Sequence, residues 1–276
     1  MEENRKKRPI GVFDSGLGGL TAVKELQGLL PSENVVYFGD TARVPYGTRD
    51  RETILRYSKQ DIRFLLGQDV KLILCACNTV SSALPEECRD SLGIPFVGVV
   101  EHASRAASLQ TRNGKIGVIG TNATIASGAY EKALRAIDGH FQVFSQACPL
   151  FVPLVENGYF GTGNQIVRLV AEEYLEPLKR TGVDTLILGC THYPLLQDVI
   201  ADIMGERVVL VDSGREGARF AKQLLSEKAL LNPLQAKGSC RFYASSSQDF
   251  EENAGRFLGE NLSGQVEQIA IDSYEV

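Results

Sequence analysis

No apolar run in this 276-residue chain approaches the ~18–20 residues needed to span a bilayer. Positive charge is in deficit, with 29 Lys+Arg against 34 Asp+Glu and a net charge of -5, so no global basic field recruits nucleic acid. Neither a membrane nor a nucleic acid is an expected partner. A secretory signal would follow the basic cluster Arg5 to Arg8 with about 7–15 apolar residues, whereas here a short strand runs straight into Asp14-Ser15-Gly16. The first residues read as a solvated tail and the protein as cytoplasmic. There is no C-x-x-C redox pair and no P-loop. Gly16-Leu17-Gly18-Gly19 is not a dinucleotide-binding G-x-G-x-x-G, because Thr21 holds the place of the third glycine. Cys77 is followed by Asn-Thr-Val-Ser-Ser-Ala, which excludes the phosphatase pattern of cysteine with arginine five residues on.

Hydrophobic residues make up 43% and charged residues 23%, which is ordinary globular usage and excludes a disordered chain, a coiled coil or a collagen-like fibre. Short apolar, β-branched runs predict strands at 9–13, 34–38, 71–76, 95–100, 115–119, 141–144, 185–188, 207–211 and 241–244. Amphipathic patterns predict helices at 19–30, 52–66, 124–137, 165–178 and 194–204. Continuous apolar strands alternating with helices imply parallel sheets covered on both faces, and the fold class is therefore α/β.

The chain resembles itself. Ile10-Gly11-Val12 and Ile116-Gly117-Val118 each open a strand that leads into a small-residue turn and a helix. Later in each half an apolar strand ends in cysteine, at Cys75-Ala76-Cys77-Asn78-Thr79 and at Gly189-Cys190-Thr191-His192. We expect two pseudo-symmetric, doubly wound, mostly parallel domains with the active site between them. Residues 1–100 with 213–276 form the first and 101–212 the second.

Ligands of open α/β sheets bind beyond the carboxyl ends of the strands. Four polar segments fall there: 14–16, 39–47, 77–79 and 190–192. Helix N-termini at such places present unpaired N–H groups and partial positive charge, which suits a carboxylate or phosphate. The same field is expected to lower the thiol pKa of Cys77 and Cys190 below the free value of about 8.5. Asn78, Thr79 and Thr191 offer hydrogen bonds, and His192 stands close to Cys190. Two thiols flanking one cleft suit a reaction with a base on one face of a carbon and an acid on the other. Cys88, Cys148 and Cys240 read as small buried residues. Cys75 is taken to point away from Cys77 and to be structural. A rival reading joins Cys75, Cys77, Cys190 and His192 in a zinc site, although the C-x-C spacing fits structural zinc poorly. The glycine cluster reads as a tight turn needing positive φ. Asp14 reads as a helix N-cap or as the acceptor of a substrate ammonium. His102 and His140 read as surface or capping residues.

Val12 to Gly19, Gly39 to Gly47, Ala76 to Thr79 and Leu188 to Pro194 together resemble the bacterial glutamate racemases of the wider Asp/Glu racemase family. That resemblance implies interconversion of L- and D-glutamate without pyridoxal phosphate, metal or other cofactor, supplying D-glutamate for peptidoglycan. It implies Cys77 and Cys190 as the two catalytic bases. Asp14, His192 and Glu156 would assist proton transfer or hold the ammonium group. Asp14, Ser15, Tyr46, Gly47, Asn78, Thr79, Thr191 and His192 would bind substrate, and the chain would form a homodimer. An aspartate or other amino-acid racemase on the same scaffold and a non-enzymatic amino-acid-binding protein are the alternatives.

Overall fold

The computed structural model describes residues 2–247, 250–259, 262 and 264–274. Residues 1, 248, 249, 260, 261, 263, 275 and 276 of the expected first domain lie outside that set. Among the described residues ten strands form two sheets, and every pairing is parallel. They are β1 (Ile10–Asp14), β2 (Val35–Gly39), β3 (Leu72–Cys75), β4 (Phe96–Gly98), β5 (Lys115–Gly120), β6 (Gln142–Ala147), β7 (Thr185–Gly189), β8 (Val209–Asp212), β9 (Cys240–Ala244) and β10 (Val266–Gln268). The first sheet runs β10-β9-β2-β1-β3-β4 and the second runs β6-β5-β7-β8.

The two orders share one plan. In each sheet the first strand of the unit lies between the second and the third, and the fourth lies outside the third. Strand order therefore reverses between β1 and β3 in one sheet and between β5 and β7 in the other, and the crevice for a ligand opens at such switch points. β1, β2, β3 and β7 are buried at every position, as strands covered on both faces must be. The α/β class and the pseudo-symmetric pair of parallel sheets are thus observed directly. The chain crosses between the sheets twice, through helices Val99–Gln110 and Ser213–Glu227, which pack on each other. Gly217 permits that approach, since a Cβ there would meet Val99 Cγ1 at 2.9 Å and Leu74 Cδ1 at 3.1 Å.

Four details differ from the sequence expectations. The strand predicted at 95–100 stops at Gly98, because Val99 and Val100 open the crossover helix and bury their branched side chains there. The helix predicted at 124–137 is two helices, Asn122–Ala126 and Ala129–Ile137, broken by left-handed Gly128 at φ 64°. β10 is a short, mostly exposed edge strand whose pattern carries little signal. Arg5, Lys6 and Lys7 lie in a short helix, Glu2–Lys7, with Arg5 and Lys7 exposed to solvent. Buried Lys71 holds it down by donating to the carbonyl of Lys6 at 2.6 Å while pairing with Glu33 at 2.5 Å.

Candidate active site

The carboxyl ends of the two sheets enclose a cavity of about 370 Å³, within the usual range for a small-molecule site. Ser15, Tyr46, Gly47, Cys77, Asn78, Thr79, Glu156, Cys190, Thr191 and His192 all border it. Of the residues expected at the site, Asp14 alone stands back from the wall, fully buried. Larger surface hollows of about 840 and 780 Å³ contain neither cysteine.

Cys77 follows β3 by two residues and Cys190 follows β7 by one, so the equivalent strands of the two sheets each deliver one sulfur. Cys77 is 4% and Cys190 6% exposed. Their flanks pack into different apolar cores, yet both border the same cavity. Cys75 is sealed in the core, with its thiol directed at the carbonyl of Cys77 at 3.5 Å. Strict strand alternation would have put residues 75 and 77 on one face. They separate because β3 ends at Cys75 and Cys77 becomes the N-cap of helix Asn78–Ala83. Among the described residues no group of three or more His, Cys, Asp or Glu side chains is arranged to share a metal ion.

The surroundings of the two thiols differ. Cys77 Sγ donates to Ser15 Oγ at 3.7 Å. Burial, and then the charge of Asp14, push its thiol up to about 12. This reverses the expected lowering: the helix does contribute, through the N–H of Val80, but desolvation outweighs it. Cys190 Sγ lies 3.8 Å from His192 Nδ1, and His192 Nε2 lies 3.0 Å from Glu156 Oε1. Burial alone would pull His192 down. Cys190 and Glu156 more than reverse it and raise the imidazole to about 10, so a cation stands beside Cys190. The ring of Phe257 meets His192 edge-on at 5.5 Å.

Asp14 ends β1. Its Oδ2 accepts from the Gly16 N–H at 3.1 Å and its Oδ1 from the Thr191 hydroxyl at 3.4 Å. It is not an N-cap, since helix Leu20–Leu29 is capped by Gly19 without a side-chain bond. Burial raises the Asp14 carboxyl and His192 opposes that rise. Gly16, Gly18 and Gly19 do not need positive φ. They are small because their neighbours leave no room. A Cβ on Gly18 would strike the Thr191 hydroxyl and reach His192 Nδ1 at 2.6 Å, and one on Gly19 would reach Asp14 Cβ at 2.5 Å.

The remaining polar groups divide into free and engaged. The Asn78 side chain donates to Ser213 Oγ at 2.9 Å and accepts from Tyr130 at 2.5 Å, so it ties the crossover helix to the site. Thr79 meets Thr121 Oγ1 at 3.1 Å across the two lobes. The Tyr46 hydroxyl is turned to Asp40 and Asp61. His140 is exposed and bonded to Asp138, while His102 stacks on Phe220 at 3.6 Å, away from the cavity. Sequence reasoning passed over Thr48, Thr121, Asn122 and Pro149 at the wall. The internal repeat carried the signal for Thr121 and Asn122, which follow β5 as Ser15 follows β1.

Two sulfurs at one cavity, with a buried carboxyl behind one and a raised imidazole beside the other, are groups that can give and take protons. The Asp/Glu/Hydantoin racemase model matches residues 21–221. This chain belongs to that family. A glutamate racemase of Geobacter metallireducens is 48% identical over 267 residues, spanning 96% of this chain and 98% of its own. A glutamate racemase isoform of Bacillus anthracis superposes with a TM-score of 0.91 at 39% identity, covering 96% of this chain and 98% of that one. The Francisella tularensis glutamate racemase, solved in complex with D-glutamate, gives 0.89 at 39% identity over 98% of this chain and 100% of that one. Membership makes the chain an isomerase of the amino-acid racemase type.

Proposed function

We propose that this protein is a cofactor-independent glutamate racemase in which Cys77 and Cys190 exchange the α-proton across the cavity. The observation that carries the reading is that equivalent ends of two like-ordered sheets bring one thiol each to the same 370 Å³ space. One sulfur, as thiolate, takes the α-proton, and the C–H electron pair passes into the α-carboxylate. The opposite thiol gives its proton to the other face of the carbon, and the two sulfurs finish with their protonation states exchanged. The growing carboxylate charge is met by the hydroxyls of Thr79 and Thr191 and by N–H groups at the helix starts. His192, oriented by Glu156, steadies the Cys190 thiolate. Asp14 sits behind Cys77 and is neutralised when a substrate ammonium enters. The route needs neither pyridoxal phosphate nor metal.

We assign 1–100 with 213–276 and 101–212 as the two domains, a division supported by sheet membership. No helix among the described residues is long and apolar enough to cross a membrane. We place the enzyme in the cytoplasm, as a homodimer, feeding D-glutamate to peptidoglycan synthesis. The test is circular dichroism of L-glutamate, D-glutamate, L-aspartate and D-aspartate incubated with purified protein. Both glutamate enantiomers are expected to decay to zero ellipticity while aspartate is unchanged. Loss of aspartate ellipticity instead would make this an aspartate racemase, and no change with any of them would leave a binding protein.

A further inference from the structure

The cavity wall at 44–48 rests on a buried ionic cluster that the proton transfer above does not use. Asp40, just past β2, and Asp61, on helix Arg51–Gly67, are both fully buried. One guanidinium serves both. Arg43 Nε donates to Asp40 Oδ2 at 2.6 Å and Nη2 donates to Asp61 Oδ1 at 3.3 Å. Nη1 donates to Gln60 Oε1 at 2.6 Å and to Asp272 Oδ1 at 3.2 Å, and the Tyr57 ring covers the guanidinium at 4.0 Å. The Asp272 side chain is 87% exposed, so the dry part of the cluster holds two carboxyls and one cation.

Two dry carboxylates cannot share one cation without an uncompensated buried charge, and a proton resolves the excess. The hydrogen bonds say where it goes. The Tyr46 hydroxyl donates to Asp40 Oδ2, and its oxygen also lies 3.2 Å from Asp61 Oδ2. A hydroxyl has one proton, so the second bond needs its hydrogen from Asp61. Asp40 Oδ1 is buried and has no hydrogen-bond partner among the described residues, so a proton there would have nothing to donate to. Burial, then the neighbouring Asp40, push Asp61 well above the ordinary carboxylate range, outweighing the opposing charge of Arg43 and the contact with Tyr46.

We infer that Asp61 stands in this cluster as a neutral acid donating to Tyr46, and that Asp40 and Arg43 are positioning residues that hold 44–48 as a wall of the substrate cavity. With the Tyr46 hydroxyl turned to the two carboxyls, the segment 44–48 borders the cavity. It also presses Gly47 against the other lobe, where a Cβ would meet Thr121 Cβ at 2.7 Å. Neither cysteine touches the cluster, so its loss weakens substrate binding before it slows chemistry. The binding half of this inference rests on the racemase reading, and the protonation half does not.

Two conservative variants and one spectrum test it. Asp61→Asn keeps the shape and hydrogen-bonding pattern of a neutral acid, and both kcat and KM for glutamate are expected to stay within about threefold of wild type. Asp40→Asn removes the one buried charge facing Arg43 and leaves only exposed Asp272, and KM is expected to rise about tenfold or more with kcat within about threefold. Equal losses in the two variants, or a fall in kcat with KM unchanged, would overturn the inference. The infrared difference between wild type and Asp61→Asn at about pH 8, where ordinary carboxyls are ionised, should contain the carbonyl band of a protonated acid. Its absence overturns the neutral Asp61 even if Asp40→Asn does not fold. A preparation that shows the band but does not racemise glutamate faults the racemase reading alone.

Discussion

The ends of β3 and β7 occupy equivalent places in two sheets of the same strand order, yet they present their sulfurs in opposite electrostatic settings. Behind Cys77 stand a serine hydroxyl and the buried carboxyl of Asp14, and the thiol keeps its proton. Beside Cys190 stands an imidazolium held by Glu156. The fold supplies near-symmetric positions at the border of one cavity. The side chains around them break that symmetry: burial and Asp14 raise the Cys77 thiol, while Cys190 lies beside the raised imidazole of His192. A racemase needs the first property to serve both enantiomers, and the second to begin with one acid and one base.

The comparison is broken most sharply by removing either sulfur. Cys77→Ala and Cys190→Ala should each lower kcat by about 10³-fold or more, read as the rate of ellipticity loss, because each transfer loses its only acid or base. A wild-type rate in either variant returns that cysteine to a packing role. His192→Asn should cost about 10–100-fold in kcat/KM by removing the cation beside Cys190. Its pH signature is separate. The folded pKa of His192 lies above its unfolded value, so its ion pair stabilises the protein fully below about pH 6.5 and is lost as pH rises through about 10. The urea midpoint of wild type should therefore fall from pH 7 to 10 more than that of His192→Asn, and parallel curves would contradict the imidazolium.

The shared plan of the two units is legible in the sequence, and the asymmetry between their sulfurs is not. Parallel strands buried on both faces spell continuous apolar runs, so 72–75 and 185–189 announced themselves, and the polar residues that ended them marked the site. The resemblance of Ile10-Gly11-Val12 to Ile116-Gly117-Val118 matches β1 and β5, the central strands of the two units. What stayed hidden depends on long-range packing. Nothing local in Val155-Glu156-Asn157 says that Glu156 meets His192; only the family resemblance pointed to it. Burial at Cys77 outweighs the helix field, and a motif does not report burial. Glycines at 16, 18 and 19 suggest a special conformation, whereas their reason is close contact, with Val44 at Gly16, Thr191 and His192 at Gly18, and Asp14 at Gly19. Asp40 and Asp61 meet only after the sheet and helix Arg51–Gly67 are assembled.

Smaller changes sharpen the same contrast. Gly18→Ala forces a methyl between Thr191 and His192, and should cost about 1–3 kcal/mol of stability in urea unfolding, with a loss of activity confined to the Cys190 side. An unchanged midpoint would mean that those side chains yield freely. Tyr130→Phe removes the bond to Asn78 and should cost about 1 kcal/mol, since one buried partner is left unpaired.

The two-thiol exchange itself is tested most directly in deuterated water. Starting from either glutamate enantiomer, the product formed at low conversion should carry solvent deuterium at the α-carbon while recovered substrate still carries protium, because a different sulfur delivers the second proton. Active turnover with no deuterium in the product, or equal early labelling of substrate and product, would contradict transfer between opposed cysteines.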